Sequence, residues 1–409
     1  FAHCWSKKGN AIERSGRGMG STSSSKRSSS SLDPNYSGNE QDVAAMPSTS
    51  CTVNSRWTSC CDATPGARSG HALCSGQDGL LWIFGGCGRG DPTGDIVLDD
   101  LHEFNLDTLQ WKKIERRGVP GERWPESRRS AAMATFDDQL YLSGGAGENP
   151  DELRSNLLEF DLRTRVWKEL LAGESGLPFK LCGQTVCIDE ERSRLLYFGG
   201  STGLEYTDTT VEFLPATNEA REIMTAGCAP SPRYKHQAFL WDGHMYVIGG
   251  GSFRPRCSEL DVYRLNLESH TWESFATIGQ VPQARVAHSS MVDREEGKVY
   301  VFGGFTAALR CCSSTLHCLD LRDRSWADVG VDEVEPVPEV RSFHSSTFYR
   351  GACYVFGGAS DAQKFSDVWS YVIRDTPPTL VVLAAKAILN LRYSHYRGLE
   401  ALAALPAAS

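Results

Sequence analysis

Short runs of alternating apolar and polar residues, each close to a pair of glycines, recur along most of the chain. In the run from Glu259 to Asn266, apolar and polar side chains largely alternate. Such alternation over four to eight residues is typical of a β-strand with one buried face. The pattern therefore predicts an all-β protein built from short strands.

Six glycine pairs, each preceded by an apolar run rich in aromatic residues, divide this region into repeats. The pairs are Gly85-Gly86, Gly144-Gly145, Gly199-Gly200, Gly249-Gly250, Gly303-Gly304 and Gly357-Gly358, at steps of 59, 55, 50, 54 and 54 residues. In four units a tryptophan follows the second glycine: 25 residues later at Trp111, and 22 residues later at Trp167, Trp272 and Trp326. The third unit has Glu222 at that offset. Two regular spacings predict four strands per unit, with the glycines ending the second strand and the tryptophan on the fourth.

The sixth unit lacks a fourth strand downstream, because Pro377-Pro378 cannot continue a strand ladder. Residues Arg56-Trp57-Thr58 lie just before the first unit. We therefore expect the strand around Trp57 to complete the sixth unit and close a ring, which removes exposed sheet edges. The prediction is a closed, six-bladed β-propeller over residues 51–375.

The two flanking segments differ in composition from the repeats. Residues 1–50 are rich in Ser and Gly, which predicts a disordered tail, with a phosphorylatable or nuclear-targeting arm as the alternative. Residues 376–409 include an apolar stripe at helical spacing after Thr379, a possible helix N-cap. A closed propeller has no vacant core for this stripe, so we expect it to pack on the outside of the propeller or on another protein.

Charge and composition narrow the function. The formal net charge is −9, from 42 Lys and Arg against 51 Asp and Glu, which argues against bulk binding to nucleic acid or to an anionic membrane. The 14 cysteines show no metal-binding spacing, so we expect free thiols in a reducing compartment, the cytoplasm or the nucleus. No motif of an enzyme active site is present, and we predict no catalytic residue, cofactor or metal.

Candidate ligand-binding residues cluster where the innermost strands begin. Four units carry Arg-x-x-His, at Arg68-His71, Arg233-His236, Arg285-His288 and Arg341-His344. Because a guanidinium can donate two parallel hydrogen bonds, arginines at one mouth of the ring could bind a carboxylate. The alternative is that these residues tie strands to neighbouring loops. The loop from Gly249 to Arg256 departs from the repeat, which adds further candidates. The candidates for ligand binding are Arg233, Ser252, Arg254, Arg256, Arg285 and Arg341.

Several of these features resemble a known family. The glycine pairs and tryptophans at this period resemble the kelch repeat of β-propellers. The stretch Thr379-Leu380-x-x-x-Ala384-x-x-x-Ile388 resembles the BC box, a helix that docks on elongin C, with Ala384 where cysteine is usual. Together with Pro232-Arg233-Tyr234-Lys235-His236 and Gly249-Gly250-Gly251-Ser252, this organisation resembles the kelch domain-containing protein 10 family. Of the cullin-box pattern that follows the BC box, only Leu405-Pro406 is present.

The resemblance implies a substrate receptor of a cullin-2 RING ubiquitin ligase. In that role the propeller would bind the C-termini of substrate proteins that end in glycine, and Thr379, Leu380, Ala384 and Ile388 would contact elongin C in its complex with elongin B. The alternative is a kelch scaffold, an adaptor for actin, a Rab effector or a signalling protein, in which the last helix packs on the propeller.

Overall fold

The computed structural model describes residues 57–61, 65–76, 79–90, 94–149, 152–171, 180–251, 258–330 and 336–374. Within these ranges the regular structure consists of strands, and no α-helix occurs. The predictions of a disordered tail at 1–50 and of a helical segment at 376–409 lie outside the described residues.

Six sheets, each built on four antiparallel strands, follow one another along the described chain, and three of them carry a fifth, short strand. The first three comprise β3 (Ala72–Ser75), β4 (Leu80–Gly90), β5 (Gly94–Asn105) and β6 (Gln110–Ile114); β7 (Ala132–Phe136), β8 (Gln139–Ser143), β9 (Leu157–Asp161) and β10 (Val166–Leu171); and β11 (Thr185–Asp189), β12 (Arg194–Ser201), β13 (Tyr206–Leu214) and β14 (Glu219–Glu222). The last three comprise β16 (Gln237–Trp241), β17 (His244–Ile248), β18 (Val262–Asn266) and β19 (Thr271–Ser274); β22 (Ser289–Asp293), β23 (Lys298–Phe302), β26 (Leu316–Asp320) and β27 (Ser325–Asp328); and β28 (Ser345–Tyr349), β29 (Ala352–Phe356), β30 (Val368–Val372) and β1 (Trp57–Cys61).

Short strands extend these sheets at their ends. They are β2 (Arg68–Ser69), which pairs with β4; β15 (Ala226–Gly227) and β20 (Ile278–Gly279), which pair in parallel with β19 and β27; and β21 (Arg285–Val286), β24 (Phe305–Thr306) and β25 (Cys311–Cys312), which form a small sheet of their own.

The six sheets form a ring within the described residues. Each innermost strand contacts the innermost strand of the next sheet, in the order β3, β7, β11, β16, β22 and β28, and β28 contacts β3 again. The N-terminal strand β1 pairs with β30, placing Trp57 opposite Tyr371. The kelch-type, all-β fold is thus confirmed, and so is its closure by the strand around Trp57.

The core lies between neighbouring sheets, and its aromatic residues explain the repeated tryptophan. Each aromatic residue before a glycine pair packs on a tryptophan of an adjacent sheet: Phe84 on Trp167 with ring centroids 6.0 Å apart, and Phe198 on Trp272 at 5.0 Å. The second unit has Ser143 in place of this phenylalanine, and the third unit is the one without the tryptophan. The aromatic residue before the glycine pair and the tryptophan therefore form the two sides of one interface between neighbouring sheets.

Candidate functional site

The arginines of the Arg-x-x-His motif are internal ties of the propeller. Arg341 is fully buried; its Nη1 and Nη2 donate to the two carboxylate oxygens of Asp367 at 2.7 and 2.9 Å. Its Nη1 also donates to the carbonyl oxygen of Gly357 at 3.0 Å. Arg233 makes the same contacts with Asp261 and with the carbonyl oxygen of Gly249.

Every unit with an arginine at this position repeats the bond to the first glycine of its glycine pair. The five bonds are Arg68 to Gly85 (3.1 Å), Arg128 to Gly144 (3.1 Å), Arg233 to Gly249 (2.7 Å), Arg285 to Gly303 (3.0 Å) and Arg341 to Gly357 (3.0 Å). These bonds support the alternative that the motif arginines tie strands to neighbouring loops, and ligand binding by Arg233, Arg285 and Arg341 stays a prediction. Their spacing in the sequence reflects a hydrogen bond that five of the six blades make at the end of the second strand.

Arg285 differs from its counterparts because it has no carboxylate partner among the described residues. Its Nη1 donates to Gly303 and to the hydroxyl oxygen of Thr315 at 3.2 Å. Burial without a compensating negative charge lowers the pKa of Arg285 to about 10. The hydrogen bonds alone hold this charged group in the blade.

The histidines of the motif also have a structural role. His236 packs its Cβ against Gly250 of its own blade and its ring edge against Phe198 of the preceding blade, with centroids 5.3 Å apart. A Cβ built on Gly250 would lie 2.5 Å from the Cβ of His236, so only glycine fits there. Burial lowers the pKa of His288 and of His344 to about 3, so these rings are neutral at physiological pH.

Six residues that precede the innermost strands form a closed circle of hydrogen bonds, which we call the neck ring. Each N–H donates to the carbonyl oxygen of the ring member in the preceding blade, over 2.6 to 3.0 Å, and the first member donates to the last. All six have positive φ, between 53° and 69°. The members are Gly70, Ser130, Gly183, Lys235, Ala287 and Phe343.

The neck ring combines four small side chains with two large ones. The six innermost strands surround a central channel. Space is left in it by the small residues Gly70, Ser130, Gly183 and Ala287. Lys235 and Phe343 fill part of it: the Nζ of Lys235 lies 5.4 Å from the centroid of the Phe343 ring, which belongs to the next blade but one. The ammonium group therefore reaches across the channel in a cation–π contact.

Among the described residues, the neighbours that act on the charge of Lys235 are the guanidinium of Arg129 and the thiol of Cys182, and none is a carboxylate. Burial in the channel lowers the pKa of Lys235 to about 8, and the guanidinium of Arg129 acts in the same direction. The thiol of Cys182 is also close; burial raises its pKa, while Lys235 and Arg129 act against that rise. Sequence reasoning missed Lys235, although its place two residues after Arg233 marks it as the one lysine in a ring of mostly small residues.

The loop candidates Ser252, Arg254 and Arg256 lie outside the described residues. The chain enters their segment at Gly251, whose N–H donates to the carbonyl oxygen of Tyr234 at 3.1 Å. Because Tyr234 directly precedes Lys235, this segment starts next to the neck ring. The partner-binding candidates Thr379, Leu380, Ala384 and Ile388 also lie outside the described part of the chain.

Two kinds of feature are absent from the described residues. No group of three or more His, Cys, Asp or Glu side chains is arranged there to hold a metal ion. No helix in the same ranges is long and apolar enough to cross a membrane.

Comparison with known proteins places these features in a family. The sequence model of the KLHDC2/KLHL20/DRC7 Kelch-repeats domain matches residues 130–261 and 250–384, together more than half of the chain. Human kelch domain-containing protein 10 is 25% identical over 343 residues, which cover 80% of this chain and 74% of that protein. Human kelch domain-containing protein 3 is 24% identical over 330 residues, covering 77% of this chain and 70% of that protein.

A Drosophila melanogaster relative is much longer than the region it shares with this chain. The leucine-zipper-like transcriptional regulator 1 homolog is 26% identical over 330 residues, covering 76% of this chain. The match spans 32% of the Drosophila protein, about a third of its length. Because the family model matches more than half of the chain, the chain belongs to the kelch-repeat family of the KLHDC2/KLHL20/DRC7 type.

Proposed function

We propose that this chain is the non-catalytic substrate-recognition subunit of a cullin-2 RING ubiquitin ligase, linked to it through elongins B and C. The propeller binds the C-termini of substrate proteins that end in glycine. Arginine side chains at the neck of the channel bind the terminal carboxylate.

The observation that carries this proposal is a set of cations without ion-pair partners around the neck of an acidic protein. Arg129 and Lys235 have no carboxylate partner among the described residues, whereas the motif arginines Arg68, Arg233 and Arg341 are each paired with an aspartate of their own blade. A free C-terminus supplies the missing negative charge, and a desolvated charge pair at such a site binds more strongly than one in water.

The segment that begins after Gly251 supplies the arginines of this site. Gly251 donates to the carbonyl oxygen of Tyr234, the residue before Lys235, and Arg254 and Arg256 follow Gly251 by three and five residues in the sequence. A hydrogen bond to a charged group contributes about 1.5–3 kcal/mol net of the exchange with water, so each arginine that bonds the carboxylate adds about that amount. Ser252 adds a hydroxyl donor next to them.

Peptide binding tests the carboxylate contacts. Arg254→Ala and Arg256→Ala should each weaken a Gly-ended free-acid peptide at least tenfold, because each removes a charge-assisted hydrogen bond. Arg310→Ala is the matched control, since Arg310 is an exposed cation in the corresponding loop of the fifth blade. Equal affinities of wild type and both loop variants for the peptide would contradict the assignment.

Affinity capture tests the ligase linkage separately. Leu380→Asp should abolish recovery of elongins B and C from cell extract while leaving peptide binding intact. Val382→Asp is the matched control, because helical spacing places residue 382 opposite the stripe of Leu380, Ala384 and Ile388. Equal recovery of elongins by wild type and Leu380→Asp would refute the linkage and favour a kelch scaffold without it.

A further inference from the structure

The described chain ends on the face of the propeller opposite the neck ring. Strand β28 begins just after Phe343 of the neck ring, β29 returns antiparallel to it, and β30 runs antiparallel to β29. After two reversals β30 again runs away from the neck ring, and Arg374 follows two residues after its last residue, Val372. We call this side of the propeller the far face. The C-terminal segment therefore leaves the propeller at the far face.

The backbone at Arg374 is held by its own sheet. The N–H of Arg374 and that of Ile373 both donate to the carbonyl oxygen of Gly351, at 3.1 and 2.8 Å. Gly351 lies in the hairpin between β28 and β29. A Cβ built on it would lie 2.5 Å from the carbonyl oxygen of Arg374. The chain is thus packed directly on the sixth sheet at the point where it leaves.

The side chain of Arg374 contacts the neighbouring fifth sheet. Its Nη2 donates to Oδ1 of Asp293 at 3.2 Å and to Oε2 of Glu295 at 2.6 Å. Its Nη1 donates to Oε1 of Glu296 at 3.3 Å. These three carboxylates belong to the hairpin between β22 and β23. We call these contacts the Arg374 clasp, because they join the end of one sheet to the hairpin of the next.

Asp293 is the carboxylate that makes the clasp necessary. Its side chain is 2% exposed, whereas those of Glu295 and Glu296 are 81% and 48% exposed. A buried carboxylate requires a compensating charge, while exposed ion pairs contribute little. Among the described residues, Arg374 is the cation that pairs with Asp293. The fold therefore needs the guanidinium at this place.

The third blade makes the corresponding contact without the C-terminal residues. Asp189 is the equivalent of Asp293, at the start of a hairpin with four residues between its paired ends. It is buried and accepts a hydrogen bond at 2.8 Å from Nε of Arg194, at the other end of the same hairpin. In the fifth blade Lys298 has that position, and the bond to the aspartate comes from Arg374. The fifth blade thus obtains from the end of the chain a contact that the third blade makes within one hairpin.

We propose that Arg374 is a positioning residue, which fixes the point and the direction in which the C-terminal segment leaves the far face. The partner of that segment then binds at the far face while a ligand binds at the neck ring, so that both bind at the same time. The clasp stands on the described residues, whereas elongin B/C as the partner rests on the proposed function.

A fixed exit favours binding of the partner. A segment that leaves the propeller in many directions loses conformational entropy when a partner orders it. The Arg374 clasp removes part of this cost before binding takes place. Loss of the clasp should therefore weaken binding of the partner and leave binding at the neck ring unchanged.

Three variants separate positioning from stability. Arg374→Met removes the guanidinium. The double variant Arg374→Met/Lys298→Arg supplies Asp293 with an arginine from its own hairpin, as in the third blade, and leaves the exit of the chain untied. Arg350→Met is the matched control, because Arg350 also follows an inner strand at the far face and pairs with Asp107 of the first blade at 2.6 Å.

Two measurements on the purified full chain test the proposal. Hydrogen exchange reports the protection of the amides of Ile373 and Arg374, and titration calorimetry gives the affinities for purified elongin B/C and for a Gly-ended peptide. We expect Arg374→Met to speed exchange of both amides about tenfold or more and to weaken elongin B/C binding about threefold to tenfold, with unchanged peptide affinity. The double variant should regain the melting temperature of wild type without regaining slow exchange or elongin affinity. Arg350→Met should match wild type in exchange and in both affinities.

Several results would overturn the positioning role. One is exchange of both amides at the wild-type rate in Arg374→Met. Another is a double variant with slow exchange and full elongin affinity, since Arg374 would then only compensate the charge of Asp293. Loss of peptide binding on saturation with elongin B/C would refute binding at opposite faces. If wild type binds no elongin B/C, the proposed ligase linkage fails, and the exchange rates alone decide whether the clasp holds the exit.

Discussion

Replacing Arg341 by methionine tests whether the motif arginines hold the blades together. The change removes a buried guanidinium and its four hydrogen bonds, to the carbonyl oxygens of Glu339 and Gly357 and to both oxygens of Asp367. It also removes the contact with the ring of Phe365, whose centroid lies 4.1 Å from the guanidinium carbon. Methionine preserves most of the apolar stem.

The expected loss is set by the aspartate that remains. Removing one partner of a buried ion pair costs about 3–5 kcal/mol, because the other charge is left uncompensated. Asp367 retains the hydrogen bond from Trp369 Nε1 at 2.6 Å, and its side chain is 23% exposed, which places the loss at the lower end, about 3 kcal/mol. Arg285→Met leaves no carboxylate unpaired, so it should cost only about 1–2 kcal/mol for the hydrogen bonds to Gln283, Gly303 and Thr315.

Urea unfolding followed by circular dichroism and thermal melting measures both variants. For a propeller of roughly 300 ordered residues, about 3 kcal/mol corresponds to a fall in melting temperature of about 5 °C. The double variant Arg341→Met/Asp367→Leu should recover most of the loss, because the stranded charge is gone. A variant Arg341→Met with wild-type stability and abolished peptide binding would refute the structural role and restore Arg341 as a ligand-binding residue.

Two further predictions follow from the interfaces between blades. His288 and His344 have pKa values of about 3 in the fold and about 6.5 unfolded, so the unfolded state takes up protons first as the pH falls. The free energy of unfolding should therefore fall by about 1.4 kcal/mol per pH unit for each histidine between pH 6.5 and 3. In urea titrations at pH 7, 6 and 5, His344→Phe should reduce that slope by the contribution of one histidine. An unchanged slope would contradict the burial argument. Gly250→Ala should lower the free energy of unfolding by several kcal/mol, because the new Cβ would lie 2.5 Å from the Cβ of His236. Gly251 also has positive φ but no atom lies within 4 Å of its Cβ position, so Gly251→Ala should cost about 1–2 kcal/mol. Equal melting temperatures of the two variants would contradict the steric account.

The repeat made the fold predictable from sequence. Glycine pairs and tryptophans recur because each blade repeats the same contact with its neighbour, as Phe198 and Trp272 show. The closing strand was predictable as well, since Trp57 supplies the strand that the last blade lacks. Periodicity reports such contacts directly, because one physical requirement selects the same residue type in every unit.

The repeat pattern could not predict which way a side chain points. Arg233 and Arg341 recur at the start of the inner strands whether they face the mouth or a carbonyl oxygen inside the blade, and the difference lies in Asp261 and Asp367, about 26 to 28 residues further on. The neck ring was also hidden. Its backbone geometry is uniform, but its six residues are of five types, so no recurring side chain marks the ring, and the position of Lys235 two residues after Arg233 is the one signal in the sequence.

The measurement that tests the central claim most directly is the affinity of the purified chain for one Gly-ended peptide as free acid and as C-terminal amide at pH 7. If the cations at the neck bind a terminal carboxylate, amidation should weaken binding at least tenfold, since it removes the charge that Arg254, Arg256 and Lys235 are proposed to bind. Equal affinity of the two peptides would contradict the claim that this propeller recognises a carboxylate.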